Sequence, residues 1–525
     1  MDLAPNPRFR EALAARLRPF LAQQRWFGGK ARPLSAVDIL DVVPMWDDRV
    51  STLLVLASVQ YADEYPDETY AVPLLARRRS EPAASDELDF EIAPGELQDA
   101  VADARFLPLL LTAIDRGLTF PGADGRVVAA STSAYRDSSA PPHELQPRVL
   151  KVEQSNSSVA FGDRLILKLF RQAGEGINPE LEIGNFLTER AHFGNVPAAM
   201  GSILYQGRDS ARTLGILEAY VPNQGNAWDY TLRALSGYFS RVGQTGGSLP
   251  PTPERHVGWP RPGWREERGP AEELLGPYLQ AAGLLGRRTG ELHLALASDP
   301  HDPSFAPESL SDAYRVELQR SVREQWAQVS RLLGGQLGSL DGRVRERAHV
   351  LLEARGVVEQ RLQALARLAL DGSLTRIHGD YHLGQVLCSN NDFFIIDFEG
   401  EPARPLAERR AKHSPLQDVA GMLRSFHYAA DRGLQDWLQE PPRSADLSWP
   451  GWAQFWKDAA SSRFLEVYVD TLRNSSLLPI APGAAQALLE VYLLGKAIYE
   501  LAYELNHRPD WVSTPLEGIL DILGG

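Results

Sequence analysis

Apolar residues recur in "MDLAPNPRFREALAARLRPF" at three- and four-residue spacing, at Phe9, Leu13, Leu17 and Phe20, which predicts a helix over residues 8–24. The period then changes. "VDILDVVPMW" and "STLLVLASVQY" are runs of branched and apolar residues and read as strands; "YADEYPDETYAVPLL" reads as a turn and another strand. A helical, acidic segment is expected from about 91 to 117. "PRVLKVEQ", "VAFGDRLILKLF" and "TLGILEAYV" are the next predicted strands. Between the last two, "NPELEIGNFLTER" reads as a helix with Pro179 in its first turn. The block 240–275, rich in Gly, Pro, Arg and Glu, reads as an extended exposed loop. Helices dominate after it. "GPYLQAAGLLGRRTGELHLALA" is one. "LLEARGVVEQRLQALARLAL" reads as another, with Val358, Leu362, Leu365 and Ala369 on one face, and "AQALLEVYLLGKAIYELAYELNHRPDW" as a long one. A β-rich amino-terminal part thus precedes a mainly helical remainder, an α+β organisation.

Length and composition narrow the class. A chain of 525 residues exceeds one ordinary core, so two to four domains or lobes are expected. The net charge of -14, with no long Lys/Arg cluster, argues against nucleic-acid binding. With one cysteine, Cys388, disulfides within the chain and Cys-rich metal sites are ruled out, which suits a reducing cytoplasm. No signal-peptide core and no run near 18 apolar residues are seen, so neither secretion nor a membrane span is expected.

The chemistry concentrates in "HGDYHLGQVLCSNNDFFIIDFEGEP", His378 to Pro402. Carboxylates beside so many apolar residues are costly unless paired or bound to a cation. Asp380 falls in a loop, Asp397 at the end of the "FFIIDF" strand, and Gln385 lies between them. These hard oxygen donors suit magnesium. Protein kinases space an Asp, an amide and an Asp-Phe-Gly in a similar way: the first Asp orients and deprotonates the attacking hydroxyl, while the amide and the second Asp hold magnesium. His378-Gly379-Asp380, Gln385 and Asp397-Phe398-Glu399 match that order. The template also asks for a strand lysine and a helix glutamate. Lys168 in "RLILKLF" and Glu182 in "NPELEIGNF" supply them, with Glu180 as the rival. "LGILEAYV", with Glu218 and Tyr220, offers a strand whose backbone suits an adenine edge. No glycine-rich phosphate loop is found. In its place "QSNSSVAFGD" puts Ser155, Asn156, Ser157 and Ser158, whose backbone N–H groups suit phosphates as a brace loop.

The chain resembles the maltokinase family, within the aminoglycoside-phosphotransferase and choline-kinase group of protein-kinase-like enzymes. The matching stretches are "QQRWFGGKAR", "SNSSVAFGDRLILKLF", "HGDYHLGQVL", "IIDFEGEPARPLAERR", "SPLQDVAGMLRSFHYAA" and "GKAIYELAYELNHRPDW", spread over residues 23 to 511. The Pro-rich block departs from the compact stand-alone enzymes and is closer to kinase halves of trehalose synthase fusions. The resemblance implies a bilobal fold with a cap over 1–90, an intermediate β-rich part over 91–222 and a helical C-lobe over 223–525. It implies a monomer that takes maltose, ATP and magnesium and makes maltose 1-phosphate for α-glucan synthesis, with a functional link to trehalose synthase. It puts Glu399 near the metal and sugar; Glu500, Tyr503, Glu504 and Arg508, with Arg424 and Tyr428, are sugar-site candidates because aromatics stack on pyranose faces and carboxylates accept hydroxyl hydrogens, and His382 is a further substrate-binding candidate.

Blander readings stand beside these. His378 and His382 at i, i+4 match a zinc pair, but Gly379 argues against a helix there, and His378 more naturally braces the loop. Lys168 alone would read as a snorkelling strand residue. Glu399 reads equally as a solvated turn residue, Trp26-Phe27 as core aromatics, and the Glu500 to Arg508 set as a charged helix face. Asn156-Ser157-Ser158 and Asn474-Ser475-Ser476 match a glycosylation sequon by chance. The rival functions are a sibling sugar kinase, such as a glucosamine kinase, and a non-catalytic nucleotide-binding protein.

Overall fold

The structure is a computed structural model. It describes residues 7–46, 51–62, 66–78, 90–91, 97–137, 145–150, 156–208, 210–244, 269–369, 371–402, 404–439, 448–481 and 483–524. Ser155 and most of the Pro-rich block lie outside the described residues. The chain forms two compact units: Met1–Pro222 with Arg404–Glu408, and Asn223–Ala403 with Arg409–Gly525. The expected cap and intermediate segments therefore share the first unit.

In the first unit, helix α1 (Pro7–Gln23) precedes an antiparallel sheet of β1 (Leu34–Trp46), β2 (Ser51–Tyr61) and β3 (Glu68–Leu75). The near-continuous apolar run of β2 has a physical cause: both faces of this sheet are buried. Leu53, Val55, Ala57 and Val59 pack in one core with Leu13, Leu17, Phe20 and Leu21 of α1. Leu54 and Leu56 point the other way, into a second core with Phe106, Leu110 and Ile114 of α2 (Phe106–Arg116). The helix expected over 91–117 is thus shorter. Asp99 instead caps a single turn over Ala100–Ala102 by accepting the Val101 N–H.

That second core lies against a sheet of β4 (Thr119–Pro121), β5 (Arg126–Ser131), β6 (Pro147–Val149), β7 (Asn156–Phe161), β8 (Leu165–Phe170), β9 (Ala199–Gln206) and β10 (Ala211–Ala219). The spatial order is β4-β5-β9-β10-β8-β7-β6. "VAFGDRLILKLF" is therefore two strands folded back on themselves, with Gly162 at φ +56° in the turn. Helix α3 (Pro179–Glu189) joins β8 to β9, and Asn178 caps it by accepting the Glu180 N–H.

The second unit is mainly helical. Its larger elements are α4 (Ala227–Gln244), α5 (Pro277–Leu296), α6 (Asp312–Gln336), α7 (Gly342–Glu353) and α8 (Arg355–Ala366). After them come α9 (Leu416–Gln439), α10 (Trp449–Thr471), α11 (Ala484–His507) and α12 (Ser513–Leu523). The stretch read as one helix over 351–370 breaks at Ala354, and it ends at Ala366, so Ala369 is exposed beyond it. One hairpin, β11 (Val386–Ser389) with β12 (Asp392–Ile395), interrupts the helices. Its turn residues Asn390 and Asn391 both take positive φ, +50° and +63°, as a two-residue hairpin turn requires. No helix among the described residues is long and apolar enough to cross a membrane.

Candidate active site

In the first unit, β7 and β8 place Ser158 directly opposite Lys168, Ser157 opposite Leu169 and Asn156 opposite Phe170. Side chains alternate across a strand, so Asn156 and Ser158 share the face of Lys168. Ser157 faces the other way, and its Oγ accepts from Arg171 Nε at 2.9 Å. The three brace residues that are described therefore lie on a strand rather than in a loop, and the Ser157 hydroxyl is turned from Lys168.

Lys168 is buried and donates to Glu180 Oε2 at 2.8 Å. This corrects the expectation that Glu182 is the partner. At 100° per residue the two glutamates stand about 200° apart around α3, and Glu180 is the buried one. Asn178 caps the same turn, its side chain accepting the Glu180 N–H at 2.9 Å. Glu218 lies in β10, paired with Ile166 on one side and Ala199 on the other. Tyr220 N donates to Arg164 O at 2.8 Å, so this N–H is not offered to an adenine edge.

In the second unit the loop carrying Asp380 hangs from α9. The Asp418 carboxylate accepts His378 N at 2.8 Å on Oδ2 and Gly379 N at 2.9 Å on Oδ1. His293 Nε2 of α5 donates to the same Oδ2 at 3.1 Å, while its Nδ1 accepts from the Tyr468 hydroxyl at 3.0 Å. Burial pushes the Asp418 pKa up, but His293, His378 and the Gly379 N–H together hold it below the ordinary value. Gly379 takes φ +87°, which suits glycine. A Cβ on Gly421 of α9 would stand 2.5 Å from the Tyr381 carbonyl oxygen, so the loop rests directly on the helix backbone.

His378 braces the loop, with Nε2 donating to Ile396 O at 2.9 Å. His382 Nδ1 accepts from Gly384 N at 3.0 Å and caps the turn Leu383–Gln385, which leaves Nε2 facing Asp380 Oδ2 at 3.9 Å. Burial lowers the His382 pKa, against the pull of Asp380. With these nitrogens so used, the two histidines do not act as a zinc pair. Gln385 Nε2 donates to Asp397 Oδ2 at 2.8 Å. Strand β12 stops at Ile395, so Asp397 lies beyond it, at φ +68°. A non-glycine residue in that region is the kind of strain kept at functional sites. The Asp397 carboxylate is a hard oxygen donor of the kind magnesium prefers, and the Gln385 amide beside it carries a second such oxygen although its nitrogen faces Asp397 here, so the donor set fits that ion. Glu399 is not a solvated turn residue. Arg409 Nη1 donates to its carbonyl at 3.0 Å and stands 4.0 Å from its carboxylate.

Helix α11 completes the cluster. Lys496 Nζ donates to Glu401 Oε1 at 2.7 Å and lies 3.4 Å from Asp380 Oδ1. Burial works against its charge, but Glu401, Asp380 and Glu500 hold its pKa above that of an ordinary lysine. Arg424 Nε donates to Glu500 at 2.8 Å, and its Nη1 meets His427 Nδ1 at 2.6 Å. Tyr428 OH and Arg508 Nη2 both donate to Glu504 Oε1, at 3.2 and 2.8 Å. Trp511 stacks on Tyr428 at 5.9 Å. Burial raises the Glu504 pKa, and its Oε2 has no partner among the described residues. Tyr503 lies at the outer edge of this set: it is 42% exposed, stacks on His507 and has the Arg508 guanidinium 5.1 Å over its ring. Sequence reasoning missed Lys496, Glu401, Asp418 and His293. The signal for Asp418 was present, an acid inside the apolar "LQDVAGML".

Residues 20–105 match the family model described as Maltokinase N-terminal cap domain. The chain is 24% identical over 379 residues to a glucosamine kinase of Streptacidiphilus jiangxiensis, covering 72% of this chain and 73% of that one. It is 26% identical over 382 residues to a glucosamine kinase of Mycolicibacterium smegmatis, covering 71% and 79%. Among solved structures it is similar to a glucosamine kinase in crystal form B, with TM-score 0.65, 20% identity and 99% and 100% coverage. It is also similar to a glucosamine kinase in complex with glucosamine, ADP and inorganic phosphate, with TM-score 0.62, 20% identity and 96% and 98% coverage.

Two stability predictions follow from the geometry. Asp418→Asn leaves one loop N–H facing an amide nitrogen, so urea unfolding should show a loss of about 1–3 kcal/mol; a variant as stable as wild type would mean the loop is held elsewhere. Lys168→Met and Glu180→Gln should each destabilise, with the double variant losing clearly less than the sum, because breaking a buried pair costs more than removing it. Lys168→Met with Glu182→Gln should add. Additive losses at Glu180 instead would return the pairing to Glu182. The chain carries a maltokinase N-terminal cap domain and a kinase-like α+β fold.

Proposed function

We propose that the protein is an ATP-dependent sugar kinase that transfers the γ-phosphate to the anomeric hydroxyl of maltose, giving maltose 1-phosphate for α-glucan synthesis. The observation that carries the kinase reading is the loop of the second unit, where Asp380 follows a braced His378 and Gln385 meets Asp397. Phosphoryl transfer needs little covalent help, so positioning and charge neutralisation do most of the work. Asp380 orients the sugar hydroxyl and accepts its proton as the bond to phosphorus forms. Lys168 holds phosphate oxygens, set in place by Glu180. Gln385 and Asp397 would hold magnesium, which offsets charge developing on the phosphate oxygens.

The charge balance favours a neutral sugar. Asp380 and Glu401 share Lys496, Glu500 has Arg424, and Glu504 has Arg508. The chain's own cations already answer these carboxylates, and together they present hydroxyl-matching donors and acceptors beside the flat faces of Tyr428 and Trp511. His382, whose Nε2 lies 3.9 Å from Asp380 Oδ2, would meet the same sugar. One observation favours an amino sugar instead: Glu504 Oε2 is a buried acceptor without a partner among the described residues, and an ammonium would suit it.

The test is ADP formation with maltose, glucose, glucosamine and trehalose, with reducing ends followed in parallel. Maltose should be preferred, and one reducing end should vanish per ADP. ADP accumulating with constant reducing ends would move transfer to another hydroxyl, and preference for glucosamine would select the second reading.

A further inference from the structure

One buried guanidinium links the cap to the end of the lysine-bearing strand. Arg171 follows β8 directly and is 2% exposed. Its Nη2 pairs with Asp99 at 2.8 Å, and its guanidinium carbon lies 4.6 Å over the Trp26 ring. Trp26 Nε1 in turn donates to Asp99 Oδ2 at 3.2 Å. Both residues lie inside the matched cap domain. Its Nε donates to Ser157 on β7, while Nη1 has no partner among the described residues. The backbone repeats the connection: Ala71 N donates to Arg171 O, and Ala173 N donates to Thr69 O, both at 2.8 Å, so β3 of the cap continues onto the end of β8.

A buried guanidinium held by one carboxylate contributes little net stability, because desolvation offsets the attraction. What it does contribute is geometry, since its planar fork fixes several partners at once. Here it fixes the strand whose opposite face carries Asn156 and Ser158 across from Lys168. We propose that Arg171 is a positioning residue through which the cap sets the phosphate-facing strand β7, so that the cap governs affinity for ATP and not for the sugar. This rests on the kinase reading for what Lys168 and its strand neighbours bind.

The test uses the full-length protein and reads magnesium–ATP binding by titration calorimetry, which needs no turnover, alongside KM for ATP and for maltose. Asp99→Asn and Ser157→Ala should each weaken ATP binding, by roughly three- to tenfold for one lost hydrogen bond. KM for maltose should stay within about twofold. The double variant should be no worse than the weaker single one, because both act through Arg171. Arg171→Lys should not restore wild-type affinity, since one ammonium cannot replace the fork; Asp99→Asn carries the test if Arg171 variants fail to fold. ATP binding unchanged by Asp99→Asn, or both KM values rising together, overturns the coupling alone. A wild-type chain that binds no ATP overturns the kinase reading and the coupling with it.

Discussion

One buried carboxylate organises the second unit. Asp418 gathers two successive backbone N–H groups and an imidazole, and thereby fixes where the chain turns before Asp380. A charge so far from water is tolerated only because its oxygens are answered by donors. Asp418 fixes the loop's backbone, while Ile377, Tyr381 and Leu383 bury its apolar side chains. Other contacts depend on the same docking. Gly421 allows the loop's carbonyl to rest on α9, Ser425 Oγ accepts the Leu383 N–H, and Tyr381 OH meets Thr289 of α5.

A second constraint is charge. The loop brings Asp380 and Glu401 together, and α11 answers them with Lys496. The lysine limits repulsion between these neighbouring carboxylates. The same helix then sends Glu500 and Glu504 toward Arg424, Tyr428 and Arg508. A surface built this way offers hydrogen-bonding groups without a large net charge, which is what a polyhydroxylated neutral ligand needs.

Much of this was legible in the chain. The period change after Leu21 marks α1 and the first strands, and the apolar flanks of Lys168 and Asp397 mark them as unusual before any fold is known. Two kinds of feature were not legible. Short or mildly apolar strands such as β5, "RVVAAS", and β9, "AMGSILYQ", gain their identity from the sheet they join rather than from propensity. Partnerships over long separations, Lys496 with Asp380 or Asp418 with His378, leave no spacing signal. The choice between Glu180 and Glu182 fell between these cases. It was decided by which side of α3 packs inward, where Glu180 is buried and Glu182 is not.

In the proposed reaction Asp380, whose loop Asp418 holds and which Lys496 balances, takes the proton of the sugar hydroxyl. The most direct measurement is ADP formation from maltose and magnesium–ATP by Asp380→Asn, with ATP affinity measured on the same sample. Turnover should fall by about 10²–10⁴-fold or more while ATP binds nearly as in the wild type. Turnover close to wild type would contradict the claim and remove Asp380 from the reaction.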